Sequence, residues 1–402
     1  MTGVPSELIP FRWPAEWRDP AALALLRGTP VNCLAGAEPP PIAVGEIPFI
    51  KLDEDHPPEG VTLLDGVWPR VLPAKEEDAA IAGVTGGPWV DSNAGRIRLT
   101  QAKAPGRQVW LTYVPPGPRE IVPVEEYVRP VAEAEAYGAR WVLALDAQFA
   151  AGVNRKNDRA LSAWRQMMSA LELYERRREW RDWPPVAALG VVSSFEGGAQ
   201  LLAEEFLSLA PRRHLAYRIV LASDVAKHSF EQQKAIIYLE AAPPEGEARA
   251  ALLRFAENGG MVFAPRGTVP TQPAATSQEH AIHQLGRGRV ITPLDIWEDP
   301  FALVRQVQLL LSMREDVVQV WNGGDMNSHY LSSPDGRRGV VHLIPYASGL
   351  TLPITIGPRQ PCRSARVTTP AGTRAVKPVA GALGVEIPVG EFSGFAAVEL
   401  EA

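Results

Sequence analysis

Ala187-Ala188-Leu189-Gly190-Val191-Val192, followed by Ser193-Ser194-Phe195-Glu196-Gly197-Gly198, is a short apolar run closed by a polar, glycine-containing stretch. The run has the length of a buried strand, and the serines and glycines mark the loop that ends it. Helical spacing over 199–209 comes next, then strand-like runs at 216–221 and 235–239. A second helical segment, 245–258, is capped by Gly259-Gly260 and leads into a strand at 261–264. The order β-α-β-β-α-β predicts an open doubly wound α/β domain, whose loops at the carboxyl ends of the strands face any ligand. Residues 268–288 read as loop, 289–292 as a strand and 299–313 as a helix.

Upstream, the same alternation runs through a different composition. Nine of the eleven tryptophans precede Pro184, which separates two kinds of domain. Asp19-Pro20 reads as N-cap and N1 of a short helix through Leu26, stopped by Gly28. Strands are expected at 31–34, 47–52, 61–67, 109–114 and 141–145, and helices at 96–104, 124–137 and 158–180. Alternating strands and helices imply a mostly parallel sheet, but four or five units fall short of the eight of a complete (β/α)8 barrel.

Beyond Asp316, β-rich runs at 317–321, 328–332, 339–344, 351–356, 364–369, 384–389 and 395–400 alternate with turns. Pro334-Asp335-Gly336 is a hairpin signal, and the spacing predicts a small antiparallel sandwich. The expected fold class is therefore α/β, with domains over 1–185, 186–315 and 316–402.

Hydrophobic residues at 46% and charged residues at 21% describe an ordinary globular chain, and a net charge of -6 argues against a polyanion or nucleic-acid partner. Cys33 and Cys362 form no disulfide framework and no zinc motif, which points to a reduced, cytoplasmic protein. The first thirty residues lack the apolar core of a signal peptide, and no run approaches a membrane span.

The segment Gly86-Gly87-Pro88-Trp89-Val90-Asp91-Ser92-Asn93 concentrates more chemistry than any other: a fixed backbone path, then an indole, a carboxylate, a hydroxyl and a carboxamide. The alternative is a tight turn whose Asp or Asn caps the following helix. Asp65 and Asp146 fall at carboxyl ends of expected strands, where α/β enzymes gather catalytic groups. Asp65, Asp91 and Asp146 are thus candidate catalytic carboxylates, because glycoside hydrolysis needs one group to protonate the leaving oxygen and another to stay ionised. Each has a structural alternative in helix capping or arginine pairing. Trp68, Trp89 and Asn93 are candidate sugar binders, with core packing as the alternative for the indoles.

Other mechanisms lack their motifs. There is no phosphate loop, no Gly-x-Ser-x-Gly elbow and no His-Glu-x-x-His helix. His280 and His283 suggest one helix face but have no third ligand, so surface residues are the better reading and neither metal nor cofactor is expected. Asp53-Glu54-Asp55-His56 reads as a solvated turn, Gly286-Arg287-Gly288-Arg289 as a hairpin turn, and Glu133, Glu135, Arg176, Arg177 and Arg178 as exposed helix faces.

The stretches Ser193-Ser194-Phe195-Glu196-Gly197, Glu204-Glu205-Phe206-Leu207, Arg212-Arg213-His214, Tyr217-Arg218-Ile219 and Leu253-Arg254-Phe255-Ala256-Glu257-Asn258-Gly259-Gly260 together resemble the glutamine-amidotransferase-like domain of GH42-type β-galactosidases. The resemblance covers about 186–402. It implies a preceding (β/α) barrel, a following β-domain, a carbohydrate ligand and a homo-oligomer, dimer or trimer. No cysteine lies around Tyr238-Leu239-Glu240-Ala241-Ala242, so glutamine hydrolysis is not expected. The N-terminal part is too short for the family's full barrel and lacks its Asn-Glu pair, so no catalytic residue carries over. Two functions follow: a glycoside hydrolase-like protein with paired carboxylates, or a non-catalytic sugar-binding or assembly module.

Overall fold

The structure is a computed structural model describing residues 5–71, 90–115, 120–311, 315–347, 352–381 and 384–402. The notable segment at Gly86 therefore enters it only from Val90 onward, and Trp89 lies outside the described residues.

The N-terminal strands are short and parallel. β1 (Pro10–Phe11), β2 (Cys33–Gly36) and β3 (Phe49–Lys51) form one set, with Pro10 opposite Cys33 and Leu34 opposite Phe49. After β4 (Val61–Leu64), β5 (Arg70–Val71) and β6 (Val90–Asp91) make an antiparallel ribbon. β7 (Gln108–Leu111) then pairs with β4 and with β8 (Arg140–Trp141), both parallel. A parallel bridge between Phe11 and Leu143 joins the two sets, locked by Arg12 N–H to Leu143 O at 2.7 Å and Leu143 N–H to Pro10 O at 3.0 Å. The order is therefore β3-β2-β1-β8-β7-β4. These six strands follow one another as barrel strands do, the last returning to the first, with the ring open between β3 and β4 among the described residues. Among the described residues no closed barrel forms.

Burial on both faces explains why these strands read as continuous apolar runs rather than alternations. Ala35, Val61, Trp110 and Val142 fill the concave side, with Leu8, Ile50, Leu52 and Leu63 packed against them. Leu34, Val109, Leu111 and Leu143 face outward onto the helices Val124–Ala136 and Asp158–Arg176, through Val128, Val131, Ala132, Trp164 and Met167. The second helix starts where Asn157 Oδ1 accepts from the N–H groups of Arg159 and Ala160. The first stops before Gly138 at φ 71°.

Glu133 and Glu135 do not lie on an exposed helix face. Both are buried, because the Val124–Ala136 helix is covered on all sides. Glu135 and Glu175 meet Arg140 at 2.5 and 2.6 Å and Arg181 at 3.0 and 2.5 Å, a buried cluster with each charge opposed. Arg177 pairs with Glu399 at 2.9 Å, while Arg176 and Arg178 are exposed.

The stretch at 187–198 forms β9 (Leu189–Ser193) and the turn into the helix Gln200–Leu209. β9 lies in a seven-stranded sheet with β10 (Tyr217–Leu221), β11 (Ala235–Tyr238), β12 (Met261–Phe263), β13 (Ala275–Thr276), β14 (His280–Leu285) and β15 (Gly288–Pro293), ordered β10-β9-β11-β12-β15-β14-β13. The first five are parallel and the last two antiparallel. Gln200–Leu209 and Pro300–Leu311 cover one face and Gly246–Glu257 the other. Two expectations fail here. Residues 268–288 are not all loop, since β13 and β14 hairpin onto β15 through Gly286-Arg287. His280 and His283 lie on β14, not a helix; both are buried, and their odd spacing puts them on opposite faces.

The C-terminal strands are β16 (Val318–Trp321), β17 (Met326–Ser332), β18 (Arg338–Pro345), β19 (Ile354–Pro358), β20 (Ser364–Thr369), β21 (Gly372–Val376), β22 (Val379–Gly381), β23 (Gly384–Gly390) and β24 (Ala396–Glu401). They form a four-stranded sheet, β16-β19-β23-β22, and a five-stranded sheet, β17-β18-β24-β20-β21. Pro334-Asp335-Gly336 turns β17 into β18. The five-stranded sheet is buried twice: Val341, Leu343 and Val398 face the sandwich interior, while Val340, Ile344, Tyr346 and Ala397 join the core around the N-terminal helices.

His342 sits in that second interface, 1% exposed, with its ring 5.6 Å from Tyr174 and 5.2 Å from Trp180. Burial pushes its pKa down to about 3. It folds neutral, so the unfolded chain binds the extra proton below about pH 6.5 and stability falls as pH drops from there toward 3. His342→Phe is expected to remove about 2 kcal/mol of the stability change between pH 7 and pH 5, read from urea melts at both pH values.

Candidate functional site

All six barrel-order strands point the same way, so the segments after them gather at one mouth: Arg12 after β1, Ala37 and Glu38 after β2, Asp65 after β4, Thr112 and Tyr113 after β7, and Asp146 beyond β8. Such a mouth collects side chains from distant parts of a chain without long loops.

Beside it, on the helix-covered side of the strands, lies an aromatic cluster. Trp68 and Trp141 are buried, 6.1 Å apart and near perpendicular, and the half-buried Tyr113 ring lies 6.3 Å from Trp68 and 6.0 Å from Trp141. Tyr127 adds an edge contact to Trp68 at 6.0 Å. Charged groups surround Tyr113. Its hydroxyl is held above the ordinary tyrosine range, first by burial; Arg70 opposes the shift, and Asp91 and Asp65 reinforce it. Asp65, Asp91 and Arg70 therefore all lie within electrostatic reach of one tyrosine. Asp91 faces Arg70 across the β5–β6 ribbon, and Asp65 is exposed.

Asp146 is placed differently. It is 3% exposed and caps the helix Ala147–Asn154, with Oδ1 accepting from Phe149 N–H at 2.8 Å and Oδ2 from the Tyr127 hydroxyl at 2.8 Å. Both oxygens are occupied inside the fold. Asn93 is 1% exposed. Its Oδ1 accepts from Val67 N–H at 2.8 Å, and its Nδ2 donates to Val67 O and Glu133 Oε2, each at 2.9 Å. Its carboxamide thus holds the backbone next to Trp68. It stands at the N-cap of Ala94–Lys103 but makes no side-chain cap bond there.

Behind Asn93 lies the buried carboxylate of Glu133. Its Oε1 accepts from Ser92 Oγ at 2.7 Å, Tyr346 Oη at 2.5 Å and Asn93 N–H at 3.1 Å. Asn327 Nδ2 donates to Tyr346 Oη at 2.9 Å. Burial lifts the Glu133 carboxyl above its usual range, opposed by these donors. Arg129 flanks the network, donating to Pro345 O at 2.7 Å and Pro69 O at 2.9 Å.

Asp65 and Asp91 both act electrostatically on Tyr113, whose ring lies 6.3 Å from Trp68. The structure keeps Asp146 and Asn93 in supporting positions behind them, and Trp89 lies outside the described residues. Arg12, Arg70, Tyr113 and Trp141 belong to the mouth and escaped the sequence reading. The signal was present for Arg12 and Tyr113, which follow strands, but the expected strand at 109–114 ran past Leu111 and placed Tyr113 inside it. Among the described residues no group of three or more His, Cys, Asp and Glu side chains is arranged to hold a metal ion, and no helix is long and apolar enough to cross a membrane.

No protein-family model and no curated protein matches the sequence. Solved structures do. A β-galactosidase from Bacillus circulans sp. alkalophilus superposes with a TM-score of 0.53 at 10% identity, over 89% of this chain and 64% of that one. A rhamnosidase from Novosphingobium sp. PP1Y superposes with a TM-score of 0.51 at 12% identity, over 85% of this chain and 35% of that one. The chain spans less than two thirds of the length of either enzyme. At these identities the likeness is one of fold, and the fold is glycoside-hydrolase-like.

Removing the Glu133 carboxylate leaves several buried donors without an acceptor. Glu133→Ala is expected to cost about 3 kcal/mol or more, whereas Asp65→Asn, at an exposed position, stays within about 0.5 kcal/mol. Denaturant melts of both variants check the contrast.

Proposed function

We propose that the mouth binds a carbohydrate and that Asp65 and Asp91 serve as a glycosidase pair. The observation that carries this reading is the placement of Asp65 after β4 and of Asp91 on β6, both within electrostatic reach of the half-buried Tyr113, whose ring lies next to Trp68 and Trp141. Indole and phenol faces suit the apolar faces of a sugar ring. Two carboxylates on opposite sides of a scissile bond supply the acid and the nucleophile or base. Arg70 stands opposite Asp91 across the β5–β6 ribbon, a cation placed next to one of the two carboxylates. Asp146 and Asn93 act here as positioning residues, the first through Tyr127 and the second through Val67.

A second reading, a sugar-binding or assembly module without chemistry, is favoured by the exposure of Asp65, since the acid of a glycosidase pair is normally sheltered from water. A homo-oligomer belongs to the same proposal.

A panel of aryl glycosides separates the two. Hydrolysis of one, with Asp91→Asn and Asp65→Asn each lowering kcat/KM by about a hundredfold or more at unchanged melting temperature, is the outcome expected of the enzyme. Unchanged turnover in either variant removes that residue from the pair. A panel with no turnover, in which a sugar still raises the melting temperature, leaves binding alone.

A further inference from the structure

We propose that a cavity at the edge of the seven-stranded sheet binds a small organic cation, an ammonium or guanidinium on a short apolar body. This site shares no residue with the mouth and stands independently of the carbohydrate reading.

The cavity, of about 320 Å³, lies beyond the carboxyl end of β15, where the chain runs through 294–299 into the helix Pro300–Leu311. Glu279, Asp295, Glu298 and Asp299 line it, and no lysine or arginine does. Three other cavities among the described residues each carry a cation: Arg12 in one, Lys234 in a second, Lys234 and Arg359 in a third. Asp295 and Glu298 are exposed, and their carboxylates make no hydrogen bond or ion pair among the described residues. Asp299 Oδ1 accepts from Phe301 N–H at 2.9 Å at the start of the helix. Its charge also adds to the effect of burial in lifting the nearby Glu205 carboxyl above its ordinary range. Two arginines come near: Arg266 donates to Leu294 O at 2.9 Å, and Arg213 lies over the Phe301 ring at 5.2 Å. Neither forms an ion pair with the four carboxylates.

The buried wall of the cavity holds an acceptor. His280 lines it and is 7% exposed. Gln306 Nε2 donates to Glu279 Oε2 at 2.8 Å, which turns the carboxamide so that its Oε1 faces His280 Nε2 at 2.9 Å. A carbonyl oxygen only accepts, so Nε2 carries the proton and Nδ1 of the neutral ring keeps its lone pair. Nδ1 has no partner among the described residues and is not sealed by its neighbours. It suits a ligand N–H, and the carboxylates around it suit a positive charge on the same ligand. The half-buried Trp297 and the exposed Leu294 and Ile296 complete the lining, an indole and two aliphatic chains that match an apolar body. The side chains here are not arranged to hold a metal ion, so the cation is organic. The volume is that of a small-molecule pocket.

The test is isothermal titration of the full chain with 2-phenylethylammonium, 2-phenylethylguanidinium and the neutral 2-phenylethanol. Wild type is expected to bind at least one of the two cations about tenfold tighter than the alcohol, with the preference shrinking as salt rises. The double variant Asp295→Asn/Glu298→Gln changes only exposed side chains, so it keeps the fold; it is expected to weaken the cation about fivefold and leave the alcohol unchanged. His280→Phe is expected to weaken the cation alone, and Asp65→Asn, at the mouth, to leave its affinity as in wild type. The ammonium and guanidinium arms assign the group recognised. Equal wild-type affinity for cation and alcohol, binding of neither cation, or an undiminished preference in the double variant overturns the proposal. Loss of cation binding in Asp65→Asn places the cation at the mouth and overturns it as well.

Discussion

The Glu133 carboxylate is the constraint on which the rest of the molecule depends. It is wholly buried on a helix that packs against the barrel-order strands, and a buried carboxylate persists only where donors surround it. Ser92 and Asn93 reach it from the turn after β6, and Tyr346 reaches it from the end of β18. One side chain therefore ties the N-terminal helices, the turn that holds the Trp68 backbone and the C-terminal sheet to each other. Arg129 repeats the tie one helical turn earlier, spanning Pro69 and Pro345. The C-terminal sheet closes the core behind the mouth, so the mouth's geometry depends on residues more than 200 positions away in sequence.

The open ring gives the mouth its character. Six short strands in barrel order concentrate their carboxyl ends as a full barrel does, yet leave a gap between β3 and β4 among the described residues. Trp110 fills the concave side that a full complement of strands would otherwise pack. Trp68, Tyr113 and Trp141 form a second aromatic cluster on the helix-covered side of the strands.

Much of the secondary structure was legible because the relevant forces are local. Asp19-Pro20, Asn157, Gly138 and Gly259 punctuate helices through backbone chemistry that neighbours in sequence supply. Pro334-Asp335-Gly336 turns a hairpin for the same reason. The errors were of another kind. Glu133 and Glu135 look like solvated residues on an amphipathic helix until a second layer covers that face. His280 and His283 have spacing that suits a helix, and only pairing with β15 makes their segment a strand. Of the candidate site, Asp65 was read as a strand-end carboxylate, Asp91 as part of a glycine-led loop and Trp68 as a neighbouring indole, but Arg12, Arg70, Tyr113 and Trp141 were not read, since nothing in the order of residues brings them together.

The sequence by itself determined the α/β character of the first two thirds, the antiparallel β character of the last third and the position of most turns, because periodicity and turn chemistry act over a few residues. Tertiary structure decided which carboxylates face the mouth and which are spent inside the fold. Asp146 and Asp65 both end strand-like runs. One is enclosed by Tyr127 and the N-terminus of a helix, the other is open to solvent, and that difference is set by packing across the barrel-order strands.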